Sequence, residues 1–344
     1  MPTKLALVVL LSMAGCVSAL DPIEPKVSYL SQIEGEAALI ELEGKAPLTA
    51  FDGLMVHSYP AAGPRAVVVF VHGLGTNAKL WDLPKVGGLA RRVWRAGYAV
   101  YSVDLVSTGD AQPYEAGKRR LGQLLTILGK RHLGTPLIGV GHDMGGTLLY
   151  ALGAELGSPL AGVVGIGAPV AFGGYSKAVT QLLDAPSRLD KAALYWAEID
   201  PLSPAHAFAN EATLTELLLT TELPRRERQA FFADALRPMT RAWLEELAAR
   251  GRGHEVPSLH TAFRGERRQY PILAIMAPSD GLMPPWLCDW RSFGVMDAQI
   301  ERIFLTRSNG NAMEYNHLDM VLHPWAQREV YPRVLGWIEA QTGR

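Results

Sequence analysis

The sequence predicts an α/β fold, a mostly parallel twisted sheet with helices on both faces. Continuous apolar runs alternate with stretches of helix-forming residues through the first half of the chain. Such runs are typical of strands buried on both faces, and strands that alternate with helices form parallel sheets. The 344 residues, 48% hydrophobic and 19% charged, fit one large globular domain with an insertion or two modest domains.

The first nineteen residues read as a secretory signal peptide. Lys4 precedes an apolar run that is too short to span a bilayer comfortably. Two cleavage sites compete: the segment ending in Cys16 resembles a bacterial lipobox, and residues 17–19 fit an ordinary signal peptidase. We favour the lipobox because Ala-Gly-Cys closes the apolar run. We therefore expect export to the bacterial cell envelope with a lipid anchor on Cys16, and otherwise a periplasmic or secreted protein.

The core is predicted to occupy residues 33–169 and 269–344. A polar segment at 21–32 leads into two antiparallel opening strands, after which strands and helices alternate. The predicted strands are 37–42, 54–59, 66–72, 99–105, 136–141, 162–167, 271–277 and 302–305, and the predicted helices are 79–95, 115–132, 147–156 and 324–340.

Residues 170–268 show no strand pattern and are rich in helix formers, including the segments 213–219 and 241–247. We interpret this region as a helical lid inserted over the catalytic edge of the sheet. Its alternating charges, Glu246 among them, are expected on solvated helix faces.

Asp143 lies in Gly141-His-Asp-Met-Gly145, between an apolar strand and a helix. This is the Gly-x-Ser-x-Gly nucleophile elbow with Asp in place of Ser. The glycines leave room for a sharp turn, and Asp tolerates the strained backbone that the turn requires. A carboxylate that attacks an ester carbonyl gives an unfavourable anhydride, whereas attack on saturated carbon gives an ester that water can cleave. The residue type therefore favours an epoxide or alkyl-halide carbon as the target.

Two further candidate residues follow Asp143, in the order nucleophile, acid and histidine. Asp280 comes after the next-to-last strand, and His317 lies between the last strand and the last helix. Asp319 is the nearest rival acid, but Asp280 follows the appropriate strand. His72-Gly-Leu-Gly follows an early strand, so the backbone N–H groups of Leu74 and Met144 are expected to form an oxyanion hole.

On these motifs the chain resembles the α/β-hydrolase superfamily over nearly its whole mature length. The surroundings of the sites are similar to lipases and esterases, while the Asp elbow is similar to epoxide hydrolases and haloalkane dehalogenases. The resemblance implies lid tyrosines that protonate an opened epoxide, for which Tyr175 and Tyr195 are the candidates. Dehalogenases carry a Trp directly after the nucleophile, and here that position is Met144, so an epoxide hydrolase-like activity is favoured.

The leading hypothesis is an exported hydrolase with Asp143 as nucleophile, His317 as the base that activates water and Asp280 as the residue that orients it. Two alternatives stay open: an ester or lipid hydrolase in which Asp143 is a base, and a non-catalytic ligand-binding homologue. The expected ligand is a small apolar or lipid-like molecule, without a cofactor or metal. The net charge of −1 argues against nucleic acid as a partner, and only a lipid anchor would bring the chain to a membrane. Cys288 is expected to be a buried free thiol.

Overall fold

The computed structural model describes residues 25–33, 36–41, 54–83, 86–105, 112–172, 223–237, 241–252, 269–293 and 299–343. Nine strands form one sheet in the order β2-β1-β3-β5-β4-β6-β7-β8-β9. The strands are β1 Lys26–Ile33, β2 Glu36–Glu41, β3 Leu54–Tyr59, β4 Val67–Val71, β5 Ala99–Leu105, β6 Leu137–His142, β7 Leu160–Ile166, β8 Ile272–Met276 and β9 Ile300–Phe304. The first three strands are antiparallel to their neighbours. The six strands from β4 to β9 run parallel to one another. The predicted fold class is confirmed.

Helices connect the parallel strands and follow the last one. They are α1 Leu89–Arg95, α2 Pro113–Arg131, α3 Met144–Gly153, α4 Arg225–Ala230, α5 Arg241–Arg252, α6 Pro285–Cys288, α7 Asp319–Leu322 and α8 Pro324–Gln341. Two clusters of buried apolar side chains fill the molecule. One includes Leu124 of α2 and Leu148 of α3, and the other includes Val93 of α1 and Val334 of α8. Val69 and Val68, adjacent on β4, belong to different clusters, as alternation along a strand buried on both faces requires.

Two expectations about local structure are wrong. Residues 26–32 belong to the polar segment predicted to precede the sheet, but together with Ile33 they form β1 and pair with both β2 and β3. The single helix expected over 79–95 is instead a short 3₁₀ turn at Ala78–Trp81 followed by α1. The chain bends sharply between them: Gly87 has a φ of +81°, and a Cβ on Gly88 would lie 2.1 Å from the carbonyl oxygen of Trp81.

The region predicted as a lid is described only in part. The predicted helix at 241–247 lies within α5, whereas 213–219 falls outside the described residues. Glu246 of α5 does not lie on a solvated face: its carboxylate accepts the N–H of Tyr114 at 2.7 Å and pairs with Arg250 at 2.7 Å. α5 packs against the start of α2. Alternating charges along the sequence do not reveal such a tertiary contact. The lid assignment stays a prediction.

The strands give the sheet two different edges. The carboxyl ends of the parallel strands lead into the loops that carry Asp143, Asp280 and His317, and we call this side the catalytic edge. At the opposite side, the amino edge, α2 and α3 end and β6 and β7 begin. Within the described ranges, no helix combines the length and apolar character needed to cross a bilayer.

Candidate active site

Asp143 sits at the tip of a tight turn between β6 and α3. Its φ of +50° is the one positive value among the non-glycine residues of the described chain. A Cβ on Gly141 would lie 2.3 Å from the backbone nitrogen of Gly146, and one on Gly145 would lie 2.3 Å from the carbonyl oxygen of Val71. The glycines of the motif are therefore required by close backbone approach, and the strain is concentrated at the residue predicted to react.

The Asp143 carboxylate lies in the predicted oxyanion hole. Its Oδ2 accepts a hydrogen bond from the Leu74 N–H at 2.9 Å. Its Oδ1 is buried and has no hydrogen-bond partner among the described residues. Burial raises the pKa of this carboxyl, while the charge of His317 and the N–H groups of Leu74 and Met144 act in the opposite direction. One oxygen is thus held by the backbone and the other is left unbonded.

His317 is oriented by Asp280. The Nδ1 of His317 donates to Oδ2 of Asp280 at 2.8 Å, and both side chains are almost fully buried. Burial acts to lower the pKa of His317, but the charge and hydrogen bond of Asp280 outweigh it, so the pKa is raised. This bond leaves Nε2 as the nitrogen that can accept a proton. The rival Asp319 instead accepts the backbone N–H of Asn316 at 3.0 Å.

The acid itself is held by its own loop. The Oδ1 of Asp280 accepts the N–H groups of Leu282 and Met283 at 2.9 and 2.8 Å, as expected for an Asx turn. These bonds satisfy the oxygen that does not face His317. The carboxylate therefore meets the imidazole in one fixed orientation.

Asn316 joins the two loops and was not singled out from the sequence. Its Oδ1 accepts the N–H of Gly281 at 3.0 Å and the N–H of His317 at 2.8 Å. One side chain therefore binds the loop of the acid to the loop of the base. The only sequence signal for this role is an amide residue directly before the histidine.

His142, directly before Asp143, also contacts the base. Its Nε2 donates to the backbone carbonyl of His317 at 3.1 Å, and the two rings lie 4.4 Å apart between centroids. Burial lowers the pKa of His142 well below its ordinary value, so the ring is neutral. Its Nδ1 has no hydrogen-bond partner among the described residues. The strand residue before the elbow thus supports the main chain that carries His317.

His72 shapes the loop that presents Leu74. Its Nδ1 donates to the carbonyl of Gly73 at 2.7 Å, and its Nε2 accepts the N–H of Leu105 at 3.0 Å. These two bonds define a neutral tautomer with the proton on Nδ1. The Gly73 carbonyl also accepts the hydroxyl of Thr76 at 2.8 Å, so the loop is held from two sides.

The structure brings together five of the residues predicted for the site: Asp143, Asp280, His317, Leu74 and Met144. Cys16, Tyr175 and Tyr195 lie outside the described residues. Cys288 is a free thiol and is buried, as expected. The described residues contain no cluster of metal-binding side chains. A carboxylate, a basic imidazole and a pair of backbone donors are together suited to nucleophilic hydrolysis.

Comparisons with known proteins identify the family of the chain. The model of the alpha/beta hydrolase family matches residues 68–327, which include every residue placed in the site. No curated protein sequence matches the chain significantly.

Many solved structures share the fold. An esterase from Thermogutta terrifontis, solved with malate bound, is 17% identical with a TM-score of 0.55, over 84% of this chain and 95% of that one. A lipase-esterase related protein from Clostridium acetobutylicum is 13% identical with a TM-score of 0.54, over 82% and 98%. MenH from S. aureus is 15% identical with a TM-score of 0.57, over 84% and 99%. At these identities the similarity concerns the fold.

Proposed function

Because the chain belongs to the alpha/beta hydrolase family, we propose that it is a hydrolase in which Asp143 attacks a small apolar electrophile, an epoxide above all. The observation that carries the proposal is the state of the two carboxylate oxygens. Oδ2 is bound by the Leu74 N–H, whereas Oδ1 has no partner in the described chain and is available to react.

The first step forms an ester between enzyme and substrate. A lone pair of Oδ1 attacks a saturated epoxide carbon, the ring C–O bond breaks, and the electron pair stays on the substrate oxygen. That alkoxide takes up a proton. The resemblance to epoxide hydrolases implies that a lid tyrosine donates it, and Tyr175 and Tyr195 are the candidates. The Leu74 N–H stays on Oδ2, which is now the carbonyl oxygen of the ester.

The second step uses His317 and the same hole. Nε2 of His317 takes a proton from water, and the hydroxide attacks Cγ of Asp143. The negative charge develops on Oδ2, where the N–H groups of Leu74 and Met144 stabilise it. The bond from Cγ to the alkyl oxygen then breaks, and His317 gives its proton to that leaving oxygen. Asp143 is left as a carboxylic acid that holds the water oxygen, and its proton returns to the group that protonated the alkoxide in the first step, which restores the carboxylate.

Trapping the ester tests the first step. His317→Gln is exposed to a pool of epoxides and alkyl halides, and the peptide that contains Asp143 is weighed. We expect an added mass equal to one epoxide, or to one alkyl halide less its hydrogen halide, because the ester can form but the base that removes it is missing. Asp143→Asn/His317→Gln is the matched control and is expected to stay unmodified. An adduct that is equally abundant in this control would overturn the assignment of the nucleophile.

Isotope labelling tests the second step with the identified substrate. Under single-turnover conditions in ¹⁸O-labelled water, we expect the label in the Asp143 carboxylate and not in the first product. Direct water attack would put the label in the product and leave Asp143 unlabelled. That result would favour Asp143 as a base.

An ester hydrolase with Asp143 as the base is the second candidate. The raised pKa of the buried carboxyl favours proton acceptance, and the solved relatives include esterases. This candidate predicts ester hydrolysis by the wild-type chain, and it predicts that Asp143→Ser preserves or raises that activity. Loss of all ester hydrolysis in Asp143→Ser would exclude it. A binding protein would instead keep its ligand affinity in Asp143→Ala and release no product.

Export with a lipid anchor is part of the proposal. It rests on the positive start, the short apolar run and the position of Cys16 at its end. Cells that express the full chain are grown with a labelled fatty acid, and Cys16→Ser is the control. We expect label on the wild-type protein alone, and an unlabelled wild-type chain of the same processed size would contradict the anchor.

A further inference from the structure

Two neighbouring loops at the amino edge are built to the same pattern. Leu133-Gly-Thr-Pro-Leu137 connects α2 to β6, and Leu156-Gly-Ser-Pro-Leu160 connects α3 to β7. β6 and β7 are adjacent parallel strands, and Leu137 pairs with Leu160. Leu133 precedes Leu137 by four residues, and Leu156 precedes Leu160 by four residues. The two loops therefore lie side by side. We call residues 132–136 and 155–159 the twin loops.

Each twin loop presents one leucine to solvent. Leu133 is 90% exposed and Leu156 is 76% exposed, the highest exposures among the large hydrophobic residues of the described chain. The following glycine has a φ of +80° in both loops, and a Cβ on either glycine would meet nothing within 4 Å. Both turns are closed by a backbone hydrogen bond, from Thr135 to His132 at 2.9 Å and from Ser158 to Glu155 at 3.1 Å. The same turn thus projects two leucines outward.

Three exposed basic residues lie at the same edge as these leucines. Lys130 and Arg131 are exposed at the end of α2, and Arg95 is exposed at the end of α1 on the same edge. None of these three forms an ion pair with another residue of the described ranges. The acidic Glu155 beside Leu156 is paired with Lys118 at 2.9 Å. Exposed leucines beside uncompensated basic groups match the chemistry of an anionic lipid surface.

β1 also begins at this edge. Lys26 at the start of β1 pairs with Ser58, and Ser58 pairs with Tyr101 near the start of β5. Since β5 begins at the amino edge, β1 begins there too. Cys16 precedes Lys26 by ten residues, which span at most about 35 Å when extended. A lipid anchor on Cys16 would hold this edge against the bilayer.

We propose that the twin loops seat the protein on an anionic bilayer, with Leu133 and Leu156 in the interface and the catalytic edge facing away from it. This inference extends the proposed lipid anchor but does not depend on the chemistry of Asp143. The active site would open on the aqueous side. The substrate would then be a small electrophile that arrives through water, not a lipid drawn from the membrane.

Hydrogen exchange with and without vesicles tests the orientation. The mature protein is mixed with vesicles that contain about one third anionic lipid. We expect exchange at 132–136 and 155–159 to slow by about fivefold or more, because insertion shields these amides. Exchange in the loop 278–284 at the catalytic edge should not change.

Matched variants make the result specific. Leu133→Ser/Leu156→Ser should lose the shielding at the twin loops, and Lys130→Gln/Arg131→Gln should weaken it and reduce its dependence on salt. Trp325→Ser removes an exposed apolar side chain near the catalytic edge and should keep the shielding. Hydrolysis or adduct formation should be unchanged in the leucine variant, so a failure here is distinguishable from a failure of the catalytic proposal.

Three outcomes would overturn the orientation. Unshielded twin loops on bound protein would show that another surface faces the lipid, and an absence of vesicle binding would remove the membrane role. Shielding that grows with protein concentration without vesicles would make the twin loops a contact between two copies of the chain.

Discussion

Substituting Gly73 by Ala tests whether Leu74 supplies the oxyanion hole. A Cβ at position 73 would lie 2.6 Å from Cβ of Asp143, 2.8 Å from its Oδ2 and 3.0 Å from Nδ1 of His142. Carbon atoms in contact prefer separations near 3.5–4.0 Å, so the loop and the elbow must separate by roughly 1 Å. The elbow cannot yield easily, because the Asp143 N–H donates to the carbonyl of Ile166 at 3.0 Å.

The separation has a calculable effect on catalysis. Adding about 1 Å to the 2.9 Å hydrogen bond between Leu74 and Asp143 takes it beyond the range of a hydrogen bond. Loss of one oxyanion donor lowers a rate by about 10²–10³, equivalent to about 3–4 kcal/mol. In the proposed mechanism, the hole stabilises the charge that develops when water attacks the ester. We therefore expect hydrolysis of the alkyl-enzyme to slow by this factor, and its formation to slow by less than about tenfold.

Rapid mixing followed by mass measurement of the intact protein gives both rates. Gly73→Ala should accumulate the ester during turnover, with overpacking that lowers the free energy of unfolding by about 1–3 kcal/mol. Gly336→Ala in α8 is the control, because a Cβ there meets nothing within 4 Å. It should keep both rates and gain about 0.5–1 kcal/mol of stability. A folded Gly73→Ala protein with the wild-type hydrolysis rate would refute the role of Leu74.

Three further substitutions test the supporting contacts. Asp280→Asn should lower the rate about 10³–10⁴-fold and move the acidic limb of the pH–rate profile to lower pH, because the group that raises the pKa of His317 is removed; an unmoved limb would contradict this pairing. Asp143→Asn should raise the melting temperature by a few degrees, because it removes a buried carboxylate whose pKa is raised by burial. The gain in stability should be complete above that raised pKa and should vanish below about pH 3.8. Thermal melts across pH would check this dependence. Arg250→Gln should lower the free energy of unfolding by about 1–2 kcal/mol, because its guanidinium lies 4.1 Å from the ring centroid of Tyr114 and pairs with Glu246; urea titration would measure the loss, and Arg250→Lys, which keeps the charge without the planar fork, should recover only part of it.

Patterns of buried strands and tight turns were predictable from sequence because they are local. The apolar run of β4 and the glycines around Asp143 each reflect a constraint within a few residues. The chain order of Asp143, Asp280 and His317 predicted a cluster because the carboxyl ends of parallel strands meet at one edge. The hydrogen bond from His317 to Asp280 fulfils that expectation.

Features set by distant contacts were missed. β1 carries Lys26, Ser28 and Ser31 and has no continuous apolar run, so its place between β2 and β3 was not visible. Asn316 and His142 act through backbone groups of residues in other loops. Apart from the amide residue directly before His317, the sequence carries no signal of these contacts. Glu246 was misread for the same reason, since its partner Tyr114 is 132 residues away.

The occupied oxyanion hole decides which substrates suit this site. In a serine esterase the hole must be empty in the resting enzyme, so that the carbonyl oxygen of the substrate can enter it. Here the Leu74 N–H is already bonded to Oδ2 of Asp143. An acyl substrate would have to displace a carboxylate to reach the same donor, and the buried carboxylate would then lose the backbone bond that opposes its desolvation. An alkyl electrophile needs no oxyanion donor in the first step, and in the second step the developing charge is already on the oxygen that the hole holds. The geometry around Asp143 therefore supports attack on saturated carbon more strongly than the similarity in fold to solved esterases supports attack on an ester.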